Sequence, residues 1–189
     1  MKTVIYLTGP PGIGKTTLAG GLERLAGAEV ISYGSLLTKT HKVIDQADLR
    51  RQSAQVITPS SVQDIDRAMA ERVAQSVRSV VVIDSHALTR ERYGFRAIPY
   101  DVATLRSLGL TTVVCLFADP ATVGRRHDVD RAGRREGTPF HLSTHMDLQA
   151  SLALTYSHTA GVPVHFIDAT DTPEEVLRLT IGACGLRSS

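Results

Sequence analysis

The apolar positions of this chain fall into two kinds of run. Five are short and nearly unbroken: TVIYLT at 3–8, AEVIS at 28–32, SVVVID at 79–84, TTVVCLFA at 111–118 and PVHFID at 163–168. Their length and their Val and Ile content predict parallel strands buried on both faces. Between them, apolar residues recur at three- and four-residue steps. Val62, Ile65, Met69, Val73 and Val77 make one such stripe, which predicts a helix entered at Pro59 with a core-facing side. TPEEVLRLTIGACG predicts another, capped by Thr172, with Pro173 in its first turn and Gly185 at its close. Strand and helix alternate along the chain. The expected architecture is a three-layer α/β fold, a parallel five-stranded sheet of order 2-3-1-4-5 with helices on both faces. No repeat, low-complexity tract or linker breaks residues 1–189, which read as a single domain.

The first strand runs into LTGPPGIGKTT at 7–17, and a helical pattern follows. Gly9, four residues, then Gly14-Lys15-Thr16 is the spacing of a loop that cradles phosphates. Backbone N–H groups and a helix N-terminus converge there on one anion site, and the glycines let the backbone approach phosphate oxygens. Lys15 is placed to reach the β- and γ-phosphates, and the Thr16 hydroxyl to ligate Mg²⁺. The third strand delivers Asp84 to the sheet edge where open α/β sheets bind ligands, so Asp84 is the second expected Mg²⁺ ligand. Lys15 is expected on an exposed loop and Asp84 at a surface strand end. Together these residues imply that the chain binds a nucleoside triphosphate, with ATP and Mg²⁺ as the expected pair.

Two arginine-rich segments suggest what happens to the terminal phosphate. RRHDVDRAGRR at 125–135 follows the fourth strand, and Gly133 and Gly137 suit a flap. Arg126 and Arg135 in it are candidates to neutralise charge on a moving phosphoryl group, work for which guanidinium is suited. Arg50 and Arg51 follow the second strand, and His86, Arg90, Arg92 and Arg96 follow Asp84. Arginines on that side suggest an anionic acceptor such as a nucleoside monophosphate. His86 is the candidate base if the acceptor is instead a hydroxyl.

Composition narrows the partners. A formal net charge of +2 is too small to argue for nucleic acid or an anionic membrane as a general partner. No apolar run approaches the ~18 residues of a bilayer span, and the N-terminal residues lack a leader pattern, so a cytoplasmic location is expected. Cys115 and Cys184 lie far apart, and Cys115, inside VVCLFA, reads as core. His141 and His145 lie four apart and could share a helix face, where a zinc site stays open. The Asn/Thr-Lys-x-Asp element by which a GTPase reads its base is absent.

GPPGIGKTT, SYGSLLTKT, VVVIDSHALTRERYGFRAIP and HMDLQASLALTYSHTAGVPVHFI together resemble the P-loop nucleotide kinases, most closely the archaeal-type adenylate kinases. With the arginine flap, these stretches cover nearly the whole chain. The resemblance implies transfer of phosphate from ATP to AMP, giving two ADP. It implies an ATP site over Gly9, Pro10, Gly12, Ile13, Gly14, Lys15, Thr16 and Thr17, and an acceptor segment at 34–78 that includes Gly34 and Arg51. It further implies a lid at about 125–142 and a homo-oligomer. His86 and Arg90 complete the acceptor side. Where such enzymes carry an Asn-Arg pair on the helix after the lid, this chain has Gln149-Ala150. That departure leaves open a kinase of a nucleoside or other small hydroxyl compound, and a regulatory or assembly ATPase.

Overall fold

The computed structural model describes residues 2–36, 59–85, 88–129 and 138–187. In chain order the elements are β1 (Thr3–Thr8), α1 (Lys15–Ala26), β2 (Glu29–Ser32), α2 (Pro59–Gln75), β3 (Val80–Asp84), β4 (Leu88–Glu91), β5 (Gly94–Ala97), α3 (Val102–Ser107), β6 (Thr112–Phe117), α4 (Pro120–Val129), α5 (Pro139–Ala160), β7 (Val164–Asp168) and α6 (Pro173–Ala183).

The five apolar runs are the five strands of one parallel sheet, ordered β2-β3-β1-β6-β7. Counted without the hairpin, this is the expected 2-3-1-4-5. β4 and β5 form a separate antiparallel pair that the pattern did not announce. Its strands are four residues each and lack an apolar run, Arg90, Glu91 and Arg96 standing among them.

Alternation along each strand divides the interior into two cores. Ile5, Leu7, Val82, Val114 and Leu116 face Leu18 and Leu22 of α1 and Val176 and Leu177 of α6. Val4, Tyr6, Val81, Ile83, Val113 and Cys115 face Met69 and Val73 of α2, Leu105 of α3, and Ala153 and Tyr156 of α5. The second core holds a tyrosine cluster. Tyr6 meets Tyr156 edge-on with ring centroids 5.2 Å apart, and Tyr100 at 6.2 Å. Such pairs add roughly 0.5–1.5 kcal/mol each beyond their buried area. Cys115 is 1% exposed, and burial pushes its thiol up to about 12, so it is an inert core residue.

One expectation fails at a helix end. Val77 continues the apolar stripe of α2 in the sequence, but the helix stops at Gln75 and Val77 is 96% exposed. Thr172 does cap α6, accepting a hydrogen bond from the Glu175 amide. Where α6 lies on α1 the helices are very close: a Cβ at Gly21 would sit 2.7 Å from a Leu177 methyl.

Candidate active site

The first two strand ends that matter are neighbours. Leu7 of β1 pairs with Asp84 of β3, and the Ser85 amide bonds the Leu7 carbonyl at 3.3 Å. The loop leaving β1 therefore rises beside the carboxylate leaving β3. The loop has the backbone that its glycines predict. Gly9 has φ 144° and Gly14 φ 108°. A Cβ at Gly9 would lie 2.9 Å from the Leu116 carbonyl oxygen, so only glycine lets the loop pass this close to β6. Gly14 stands at the start of α1, and no side chain caps that helix. Thr16 and Thr17, in the first turn, are exposed.

Lys15 differs from expectation. It is 6% exposed, and its ammonium donates to the carbonyls of Gly9 at 2.7 Å and Pro10 at 3.1 Å. The loop wraps its own lysine, because backbone carbonyls on the inner side of so tight a turn converge on one point. Asp84 is likewise less exposed than a surface strand end. Its Oδ1 is enclosed and has no hydrogen-bond partner. Burial raises its carboxyl above the usual carboxylate range, while the nearby Lys15 ammonium acts in the opposite direction. A carboxylate oxygen that the protein leaves unsatisfied, near Lys15, whose chain neighbour Thr16 is exposed in the first turn of α1, is a donor set of the kind that fits Mg²⁺.

Arg126, in α4, reaches the same loop. It donates to the Ile13 carbonyl at 3.3 Å and to the Thr170 carbonyl at 3.5 Å. Arg125 instead turns to the Thr122 hydroxyl at 2.8 Å. Arg135 lies outside the described residues, as do Arg51 and His86. Gly34 is described and half-buried, two residues beyond the end of β2.

The β4–β5 hairpin carries Arg90 and Arg96, both expected on the acceptor side, on opposite faces. Arg90 pairs with Phe95 across the hairpin, and that face meets α5. There the Arg90 guanidinium lies 3.4 Å from His141 Nδ1, and the Phe95 ring lies edge-on to His145 at 5.2 Å. The shared face of the two histidines thus holds the hairpin. Among the described residues no group of three His, Cys, Asp or Glu side chains gathers as a metal site. Arg96 is on the other face, opposite Thr89. Its Nη2 is 3.3 Å from a Glu91 oxygen, an ion pair without the alignment of a hydrogen bond. Its Nε and Nη2 are both enclosed and donate to nothing. Those two nitrogens form the side-on fork that grips carboxylate or phosphate oxygens. Sequence spacing gives no reason to prefer Arg96 over Arg90; only the hairpin register separates them.

At the position of the Asn-Arg departure, Gln149 is 1% exposed and its Nε2 donates to the Thr8 hydroxyl at 2.6 Å. It ties α5 to the residue that precedes the loop. Ala150 beside it offers no charge.

A strand, a glycine-shaped loop with an inward lysine, and a helix with an uncapped start define a nucleoside-triphosphate-binding P-loop protein. Residues 8–142 match the AAA domain family, more than half of the chain, and the chain belongs to that family. It is 29% identical over 170 residues to an adenylate kinase of Thermoplasma volcanium, covering 88% of this chain and 90% of that one. Two solved structures share the fold. One is a tunicamycin resistance protein of Deinococcus radiodurans, with TM-score 0.65, 19% identity and coverage of 100% and 99%. The other is a shikimate kinase of Bacteroides thetaiotaomicron, with TM-score 0.61, 17% identity and coverage of 97% and 99%. The chain is a P-loop kinase, an ATP-dependent phosphotransferase of the nucleotide and small-molecule class. Among the described residues no helix is long and apolar enough to cross a membrane.

Proposed function

We propose that the protein transfers the γ-phosphoryl group of ATP to the phosphate of a nucleoside monophosphate, with AMP as the first acceptor to test. The observation that carries this reading is the fork of Arg96, which faces Glu91 as an ion pair at 3.3 Å but has no hydrogen-bond acceptor. Glu91 offsets the charge, but enclosed Nε and Nη2 without an acceptor are costly, and the oxygens of a phosphate would supply the missing hydrogen bonds. Arg96 stands on the hairpin that follows Asp84, which is the acceptor side. The match over 88% of the chain to a protein called adenylate kinase supports the same reading.

In this reading the glycine loop and the Lys15 ammonium hold the β- and γ-phosphates, Lys15 exchanging its carbonyl contacts for phosphate oxygens. Thr16 and Asp84 would hold Mg²⁺, which, when bound, draws charge from the β- and γ-oxygens. Arg126, bridging the Ile13 and Thr170 carbonyls, is positioned to turn toward charge that develops on the donor side. Arg96 receives the acceptor phosphate, and Arg90, on the opposite face, serves the acceptor side by holding the hairpin against His141 of α5, with segment 34–78 as the acceptor-binding insertion and about 125–142 as the lid. An ionised phosphate is already a nucleophile, so no general base is required. Attack is direct and in line, without a phosphoenzyme.

A second reading rests on a different observation. Ala150 supplies no cation on α5, and the enclosed Asp84 oxygen could accept a proton from a hydroxyl acceptor. ADP formation with ATP, Mg²⁺ and a panel of AMP, other monophosphates, nucleosides and sugar-like alcohols separates the two. Strong dependence on a monophosphate supports the first. Dependence on a neutral alcohol selects the second. Slow turnover that ignores every acceptor refutes both and leaves an ATPase.

A further inference from the structure

Gln149 of α5 reaches the last residue of β1 and is among the most enclosed polar side chains. It is 1% exposed, and Thr8, whose hydroxyl accepts from its Nε2 at 2.6 Å, is 0% exposed. Only half of the amide is used: among the described residues, Gln149 Oε1 has no hydrogen-bond partner. An enclosed acceptor without a donor lowers stability, and a methionine would fill much the same space without that loss. The buried face of α5 otherwise keeps to the apolar rule here, with Ala153 and Tyr156 following Gln149 into the core. Stability therefore does not account for a glutamine at this position. Its single contact does.

Thr8 is where the sheet stops steering the chain. Its ladder partner on β6 is Cys115, and the register ends with that pair. Gly9 follows, pressed by β6 so closely that a Cβ would lie 2.9 Å from the Leu116 carbonyl oxygen and 3.1 Å from Ile13 Cγ2. The Gly9 carbonyl in turn accepts from the Lys15 ammonium at 2.7 Å. A short path of contacts thus runs from α5 through the Thr8 hydroxyl and one peptide bond to the lysine. The root of the loop is braced by β6 on one side and by Gln149 on the other. We propose that Gln149 is a positioning residue for phosphoryl transfer, holding the root of the phosphate loop through the Thr8 hydroxyl. The proposal rests on the phosphotransferase reading but not on AMP as the acceptor, because the donor phosphates meet the loop whatever receives them. A misplacement of about 1 Å at a reacting group can cost about 10²-fold in rate, so the brace acts on kcat.

The test compares Thr8→Val, Gln149→Met and the double variant, with Thr8→Ser as the conservative control. Replacing both partners by apolar groups of similar shape leaves no new unpaired atom, so the double variant should unfold at a urea midpoint no lower than the parent's. Its kcat with ATP and AMP should nevertheless fall about 10- to 100-fold, while the AMP KM moves less than about threefold. Each single variant already breaks the same contact, so the double should lose no more turnover than the worse single. Thr8→Ser keeps the acceptor oxygen and should keep turnover within about threefold of the parent. A second readout needs no acceptor. In the Mg²⁺-ADP complex, amide exchange at Gly12, Gly14 and Thr16 should be at least about tenfold faster in the double variant. Unchanged kcat in the double variant, or loop exchange equal to the parent's, overturns the proposal. So does stability lost in step with turnover, which is what a glutamine serving only the core predicts. A parent without AMP-dependent turnover removes AMP as the acceptor, and the exchange comparison then decides this proposal by itself.

Discussion

Asp84→Asn should make the ligand-free protein more stable while removing most of its Mg²⁺-dependent activity. The substitution keeps the shape of the side chain and deletes its charge. Burial lifts the Asp84 carboxyl above its usual range even with Lys15 acting against it, so ionising Asp84 costs folding free energy. The sign follows from linkage. Folded Asp84 holds its proton to higher pH than the unfolded chain, whose aspartates titrate near ~3.9. Below that pH parent and variant should be equally stable. As pH rises through the folded value the parent loses stability and the variant does not. Asn leaves a polar atom in the same enclosure, which itself costs about 1–3 kcal/mol, so the substitution removes only the excess cost of an enclosed charge, and the Lys15 attraction already offsets part of that. A gain near ~1 kcal/mol at neutral pH is therefore expected, or a Tm rise of ~2–4 °C for a chain of this size. With saturating Mg²⁺ and ATP the order should reverse, because ligand at 100 times its Kd stabilises by about 2.7 kcal/mol and the variant binds the metal poorly. Thermal unfolding at about pH 3.5 and pH 7, each with and without Mg²⁺-ATP, reads all four corners. A variant less stable than the parent at neutral pH, or one with unchanged Mg²⁺ dependence of turnover, would refute the reasoning.

Lys15→Ala should lower kcat by on the order of 10²-fold or more. It should also unsettle the ligand-free loop, since two carbonyls lose their donor; near-normal turnover in a folded variant would remove the lysine from the site. Arg96→Ala should raise the acceptor KM about 10- to 150-fold, the worth of a charged hydrogen bond, and leave the ATP KM nearly unchanged. Arg126→Ala should instead lower kcat, and steady-state kinetics with AMP distinguish the two patterns. Asp66, raised to about 6 by burial, should impose a stability loss between about pH 4 and pH 6, with the protein more stable on the acid side. Asp66→Asn should flatten that slope and gain roughly 2–3 kcal/mol at neutral pH, measured by denaturant unfolding across pH.

The layers and the strand order were legible because the sheet is buried on both faces. Val81, Val82 and Ile83 have to be apolar whichever side they point to, and a β-branched run that short and unbroken suits a central strand better than a helix. The phosphate loop was legible for a different reason: its backbone path admits little but glycine. The hairpin was hidden, since Thr89, Arg90 and Arg96 alternate for a surface rather than for a core, and polar alternation looks like a loop. The choice between Arg90 and Arg96 was hidden with it, because it depends on which face of that hairpin α5 covers. The burial of Lys15 and Asp84 was also out of reach. It arises where β1, β3 and the loop converge, and no local pattern records that convergence. His141 and His145 gave a true signal of a shared face, but what that face meets is an arginine and a phenylalanine.

The close seat of α6 on α1 has a consequence for how the protein is made. Val176 and Leu177 of α6 fill the core beneath the helix that starts at the phosphate loop, and β7 completes the sheet at its far edge. During synthesis the loop and α1 leave the ribosome early, but the α6 residues that cover them come more than 140 positions later. Until residues 164–183 have emerged, α1 can lie on β1, β3 and β6, but the side of it that α6 covers has no partner and that part of the core stays open to water or to a chaperone. The ATP-binding half is thus written first and closed last, which makes a ribosome-stalled chain lacking α6 a poor binder of nucleotide despite holding every residue of the loop.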